Sequence, residues 1–205
     1  NGRQRAFHLV REVLNVLIDI LLALERIAHF IEGAAQLADL VVPERRRDRR
    51  AGLRLAGVMF LFWFSRGRWT EGRQWIDQTL QRPLPGGMSP QRAQVLNCAA
   101  LLAVQQSDSA RVKACLNESI PYTRQVDDRL NLAYALSILG LATQAEGDVI
   151  KARALHAESI GLFRALKDHW GLGFALYVDG MAAYWQGDHA AAQVAYEESI
   201  ISFQR

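Results

Sequence analysis

Side chains able to do chemistry are thinly scattered through this sequence. Five histidines, His8, His29, His156, His169 and His189, stand without a His-Glu-x-x-His pair or paired cysteines, so a tetrahedral metal site finds no ligand spacing to use. No Gly-x-x-x-x-Gly-Lys-Ser/Thr cradle for phosphates occurs, and Gly171-Leu172-Gly173 lacks the third glycine and the preceding strand of a dinucleotide loop. Cys98 and Cys115 fall on what read as two helices of one unit, where free buried thiols are expected. Asp179 departs from its counterparts Met59, Ala99 and Leu139. A buried carboxylate needs a partner, so pairing with an Arg or His, or partial exposure near a groove, is expected; the alternative is an acid that faces a ligand. Catalysis would require a second positioned group. The expectation is a protein that binds without turnover and needs no cofactor or metal.

The elements that would position such residues are repeats. The stretch Gly147 to Ile160 has relatives beginning at Gly67, Ser107 and Gly187, each 40 residues from the next. A fixed period of this length marks an array of one supersecondary unit whose members touch their neighbours. Five prolines in 205 residues, abundant Ala, Leu, Arg and Gln, and no alternating run of Val, Ile and Thr predict an all-α chain. Helix pairs are predicted over 90–106 with 109–124, 128–146 with 149–166, and 169–186 with 189–204. A first unit pairs Leu53 to Arg66 with Trp69 to Gln81, its Phe60, Phe62, Trp63 and Phe64 implying an element sandwiched between neighbours. Asp108, Asp148 and Asp188 share one repeat position, where each can cap the second helix of its pair. Pro121 is expected to bend or end its helix, Pro83 to Gly87 forms a loop, and Ser89-Pro90 restarts a helix. The domain division is 1–50, a helical segment that reads as a divergent repeat, and 51–205, an array cut within its last repeat. A start without Met and an end inside a repeat are read as those of a fragment.

Charge narrows the partners. Residues 1–50 hold nine Arg and seven acids, and the repeats are close to neutral, which is not the broad basic face of a nucleic-acid binder. The exception is Arg45, Arg46, Arg47, Arg49 and Arg50, either a solvated loop and helix start or a contact for phosphate or an acidic partner; nucleic-acid binding through this cluster is the alternative function. From Phe7 to Arg26 the polar residues His8, Arg11, Glu12, Asn15, Asp19 and Arg26 form a narrow wet stripe on a mostly buried helix, and a second helix runs from Ala28 to Val42. No apolar run is long enough to span a membrane and no secretion signal opens the chain, so a cytoplasmic place is expected.

The repeats resemble the tetratricopeptide repeat. The likeness is carried by the small-residue sites Gly140 and Gly180, by Gly147-Asp148 and Gly187-Asp188 at the turns, by Gly72, Ala152 and Ala192 in the second helices, and by Ser119, Ser159 and Ser199. A narrower likeness is to the helical-repeat region of bacterial signal-transduction ATPases and LuxR-type transcriptional regulators such as the maltose regulator. It is carried by Leu53 to Gly57, Trp63 to Leu80 and the blocks ending Glu118-Ser119-Ile120, Glu158-Ser159-Ile160 and Glu198-Ser199-Ile200. It covers residues 51–205, and Phe60, Ala100 and Ser107 depart from the family pattern. The resemblance implies a right-handed α-α superhelix of about four helix pairs, preceded by one or two extra helices. It implies a partner groove on the first helices at Arg54, Gln94, Asn97, Tyr134, Ser137, Gln144, Phe174, Tyr177, Met181 and Tyr184. Amides and phenols there would bond a peptide, protein or small effector while aromatics supply contact area; self-association is a further expectation. The fourth unit's aromatics could equally pack against a following repeat.

Overall fold

A computed structural model describes residues 4–13, 15, 53, 56, 57, 59, 60, 62–64, 66–81 and 87–205. Arg54, the Arg45 to Arg50 cluster, the helix expected over Ala28 to Val42 and positions 83–86 of the proline loop lie outside them. Every regular element among the described residues is a helix. The helices with full bounds are α1 (Trp69–Gln81), α2 (Pro90–Gln105), α3 (Ser109–Gln125), α4 (Arg129–Ala145), α5 (Val149–Leu166), α6 (His169–Trp185) and α7 (His189–Phe203). Residues 4–13 are also helical. None of the described helices is long and apolar enough to cross a membrane.

The turns recur at half the sequence period. Positive φ falls at Gly67, Gly87, Ser107, Asp127, Gly147, Lys167 and Gly187, one every 20 residues. From 107 onward an aspartate follows each time. The N–H groups of Asp108, Asp128, Asp148, Asp168 and Asp188 donate to the carbonyls of Ala103, Thr123, Thr143, Phe163 and Ala183, at 2.9, 2.9, 3.2, 3.1 and 3.0 Å, and so close the preceding helix. Their carboxylates accept from the N–H three residues on, in Arg111, Asn131, Lys151, Gly171 and Ala191, at 2.9 to 3.2 Å, and so open the next. One residue type thus ends one helix and starts another within a turn of two or three residues. Ser89 does the opening half of this work for α2, accepting from Arg92 N at 3.1 Å with Pro90 in the first turn. Pro121 does not end α3, which runs through it to Gln125.

The chain divides into two compact units, one of Asn1–Asp19 with Thr123–Arg205 and one of Ile20–Tyr122. In the second, Leu53, Ala56, Phe62 and Trp63 are buried while Phe60 and Phe64 are half-buried, and Trp63 meets Trp75 at 5.8 Å between ring centroids. Arg73 reaches Asp108 at 2.7 Å, Arg111 binds Asp77, and Arg92 holds both Glu118 at 2.7 Å and the Leu80 carbonyl at 3.0 Å. Cys98 and Cys115 are free thiols, both raised above the ordinary range by burial, Cys98 to about 12.

In the first unit α4 packs on α5, α5 on α6 and α6 on α7. Within each pair a serine of the second helix donates to a first-helix carbonyl 26 residues earlier, Ser159 to Ala133 at 2.7 Å and Ser199 to Gly173 at 2.8 Å. From one second helix to the next, Arg124 bonds Glu158 at 2.9 Å and Arg164 bonds Glu198 at 2.6 Å, both 34 residues apart. The glycines of the first helices are receptacles. A Cβ on Gly140 would lie 2.3 Å from His156 Cε1, and one on Gly180 would lie 2.7 Å from Tyr196 Cε1. Across the four units the second-helix residue here is Ile76, Leu116, His156 and Tyr196, all buried, and the first-helix residue 16 positions earlier is Phe60, Ala100, Gly140 and Gly180. The first-helix side chain vanishes where the second helix presents a ring.

Candidate functional site

The ten residues expected on the first-helix face separate by depth. Asn97 and Ser137 are interior. Asn97 Oδ1 accepts from Ser119 at 2.8 Å, and the Ser137 hydroxyl lies 2.7 Å from that of Ser159, so both side chains are spent holding their helix pair together. Their repeat position faces the partner helix, which removes them from an open groove. Tyr177, the next copy of that position, is half-buried with its ring 6.1 Å from Tyr196. Tyr134 is half-buried and edge-on to Phe163 at 4.8 Å. Both phenols brace cores. Gln94 is exposed beside Gly57, and Phe174 is half-buried.

Gln144 and Met181 do line an opening. With Leu141, Ala145, Val149, Ala182, Trp185 and Gln186 they enclose a groove of about 380 Å³ in which the ends of α4 and α6 face the start of α5. Its chemistry is mixed. Trp185 is 74% exposed, a large apolar ring left in water at the rim. Gln144 Oε1 is buried without a hydrogen-bond partner, leaving an acceptor in want of a donor. Tyr184 stacks edge-on against Trp185 at 5.8 Å and lies 5.3 Å from the His189 ring, which fixes one side of the indole. The groove can therefore take an apolar side chain against Trp185 and Met181 while the amide accepts an N–H or O–H from the same ligand. Trp185 was legible as an aromatic of the fourth unit, but nothing in its neighbours marked it as the most open one.

A second groove, of about 680 Å³, is lined by α5, α6 and α7 residues that include Arg153, Arg164, Asp179, Val194 and Glu198. Asp179 meets Arg153 here, Nε to Oδ1 at 3.8 Å. Burial raises the Asp179 carboxyl above its usual range and Arg153 offsets only part of that, so the pair answers the expectation of an arginine partner. Arg164 and Glu198 are bonded to each other. The charges of this groove are paired among themselves, whereas the groove at Trp185 holds an acceptor without a partner.

His156 is a titratable group at the second-helix packing position of its unit. It is fully buried against Gly140, and neither ring nitrogen has a partner. Burial first, then repulsion from Arg153, lowers its pKa to about 4, so it is a neutral packing group. No group of three or more His, Cys, Asp or Glu among the described residues could hold a metal ion.

No protein-family model matches the chain, and no curated protein matches it. Among solved structures it is similar to the crystal structure of BtubC (BKLC) from P. vanneervenii, with a TM-score of 0.62 and 15% sequence identity. The likeness covers 97% of this chain and 88% of that one, so it extends to the helical fold as a whole and, at that identity, to the fold alone.

Proposed function

We propose that this chain is a non-catalytic binding scaffold, a right-handed α-α superhelix of tetratricopeptide-like helix pairs whose first-helix face recognises a protein or peptide segment or a small effector. The observation that carries the reading is the groove at Trp185, where an exposed indole, Met181 and the unpartnered Gln144 Oε1 converge. Rigid helices hold the three, so a ligand meets a preformed surface. The 20-residue turns, the paired serine bonds and the repeat-to-repeat arginine and glutamate pairs support a regular array. The bacterial regulatory setting rests on the resemblance of residues 51–205 to the repeat region of signal-transduction regulators.

The test is selection of displayed random peptides on the full chain, followed by binding to Trp185→Ala. An exposed indole can be removed with little effect on the fold. Selected peptides should bind the variant at least tenfold more weakly, while far-UV circular dichroism is unchanged. Undiminished affinity would reject the groove.

A further inference from the structure

The helix over residues 4–13 is amphipathic on a narrow stripe. Ala6 and Val13 are fully buried and Leu9 and Val10 half-buried, while Gln4, Arg5, Phe7, His8, Arg11, Glu12 and Asn15 are exposed. Val13 shares a core with Ala183, Ala192 and Tyr196, and Leu9 and Val10 pack against that core alongside Tyr177, Met181, Tyr184, Ile200 and Phe203. One repeat earlier the equivalent place is filled differently. Ile160 and Phe163, the 40-residue counterparts of Ile200 and Phe203, share a core with Ala175 and Leu176 of the following first helix. The N-terminal helix thus stands where the first helix of another repeat would stand, although 170 residues separate Val13 from Ala183, with which it shares that core.

We propose that this face of the α6–α7 pair is a receptor for short amphipathic helices carrying small and branched apolar residues at i, i+3, i+4 and i+7, and that the 4–13 helix is its resident ligand in cis. The resident shares a core with Ala183, Ala192 and Tyr196 and must leave before a partner helix of the same pattern can bind there. This rests on the reading that the first-helix face takes a partner, and it adds the partner's form and the means of control. The hold is reversible on physical grounds. Over the described residues its anchor is four apolar side chains, of which only Ala6 and Val13 are fully buried, and the contact of His8 with Glu12 at 3.3 Å is internal to the segment.

The test uses a synthetic, end-capped peptide of residues 4–15 carrying a fluorescent label. The full-length Leu9→Asp, Val13→Asp variant, its own helix released, should bind the peptide saturably and at least tenfold more tightly than the wild type. The same peptide with both Asp substitutions should not bind. In a second arm that needs no variant, excess unlabelled peptide added to the 15N-labelled wild-type chain should shift the Leu9, Val10 and Val13 amide resonances toward those of the free peptide. Equal affinity of variant and wild type overturns the proposal, as does a folded variant that binds nothing. If the variant unfolds, unmoved resonances in the second arm overturn it. Failure here would leave peptides selected on the Trp185 groove still able to bind, so the two readings fail separately.

Discussion

Replacing His156 by Leu should stabilise the chain and flatten its response to acid. The imidazole is fully buried, its nitrogens are unpartnered, and the equivalent position one period earlier is the equally buried Leu116. Its pKa, ordinarily 6.5, is lowered to about 4 by burial and by Arg153. Because the folded value is depressed, the unfolded chain takes up the proton first as pH falls. The contribution to stability is complete above pH 6.5 and is lost progressively down to about pH 4. At about 1.4 kcal/mol for each pH unit, the window corresponds to roughly 3 kcal/mol. Leu removes this loss and also the cost of two buried, unpaired nitrogens, which is about 1–3 kcal/mol less whatever fit is lost against Gly140. Urea unfolding followed by far-UV circular dichroism at pH 7.5 and pH 4.5 reads both effects. The variant should be about 1 kcal/mol more stable at the higher pH, and its advantage should widen by about 2–3 kcal/mol at the lower. Identical pH dependence in the two proteins would refute the assignment of the acid response to His156.

Packing makes two further predictions. Gly140→Ala places a methyl 2.3 Å from His156 Cε1 and should cost about 1–2 kcal/mol despite better helix propensity, whereas Gly161→Ala, with nothing near its Cβ, should gain about 0.5–1 kcal/mol; thermal unfolding of the pair checks the contrast. Ser159→Ala removes the bond to the Ala133 carbonyl and the contact with Ser137 and should cost about 1–2 kcal/mol in denaturant unfolding, while Arg164→Ala, which breaks an exposed pair with Glu198, should cost under about 1 kcal/mol and less in high salt.

The helix boundaries were legible because their signals are local. Asp148 and Asp188 beside glycines mark a turn in any context, and Ser89-Pro90 marks a start. The 20-residue half-period was less visible. Asp128 and Asp168 cap as well as the others do, but Asp127 and Lys167 hold the positive φ where glycine would have advertised it. Depth within the first helices was not legible. α2, α4 and α6 are apolar around most of their circumference, so no polar stripe tells the face toward the second helix from the face toward solvent. Asn97 and Ser137, polar and at the right spacing for a groove, turn inward because Ser119 and Ser159 await them. His8, Arg11, Glu12 and Asn15 of the N-terminal helix are exposed as expected, but Phe7 is exposed too and only Ala6 and Val13 are fully buried, so the described part is not the mostly buried helix that the sequence suggested. Its docking on α6 and α7 was not legible, since a contact this distant in sequence leaves no local mark.

The most direct test of the binding reading is a hydrogen-exchange footprint of a display-selected peptide on the full chain. Protection should appear at 141–149 and 181–186, the two sides of the Trp185 groove. Protection confined instead to the charged groove of Arg153, Asp179 and Glu198, with 181–186 unchanged, would contradict it.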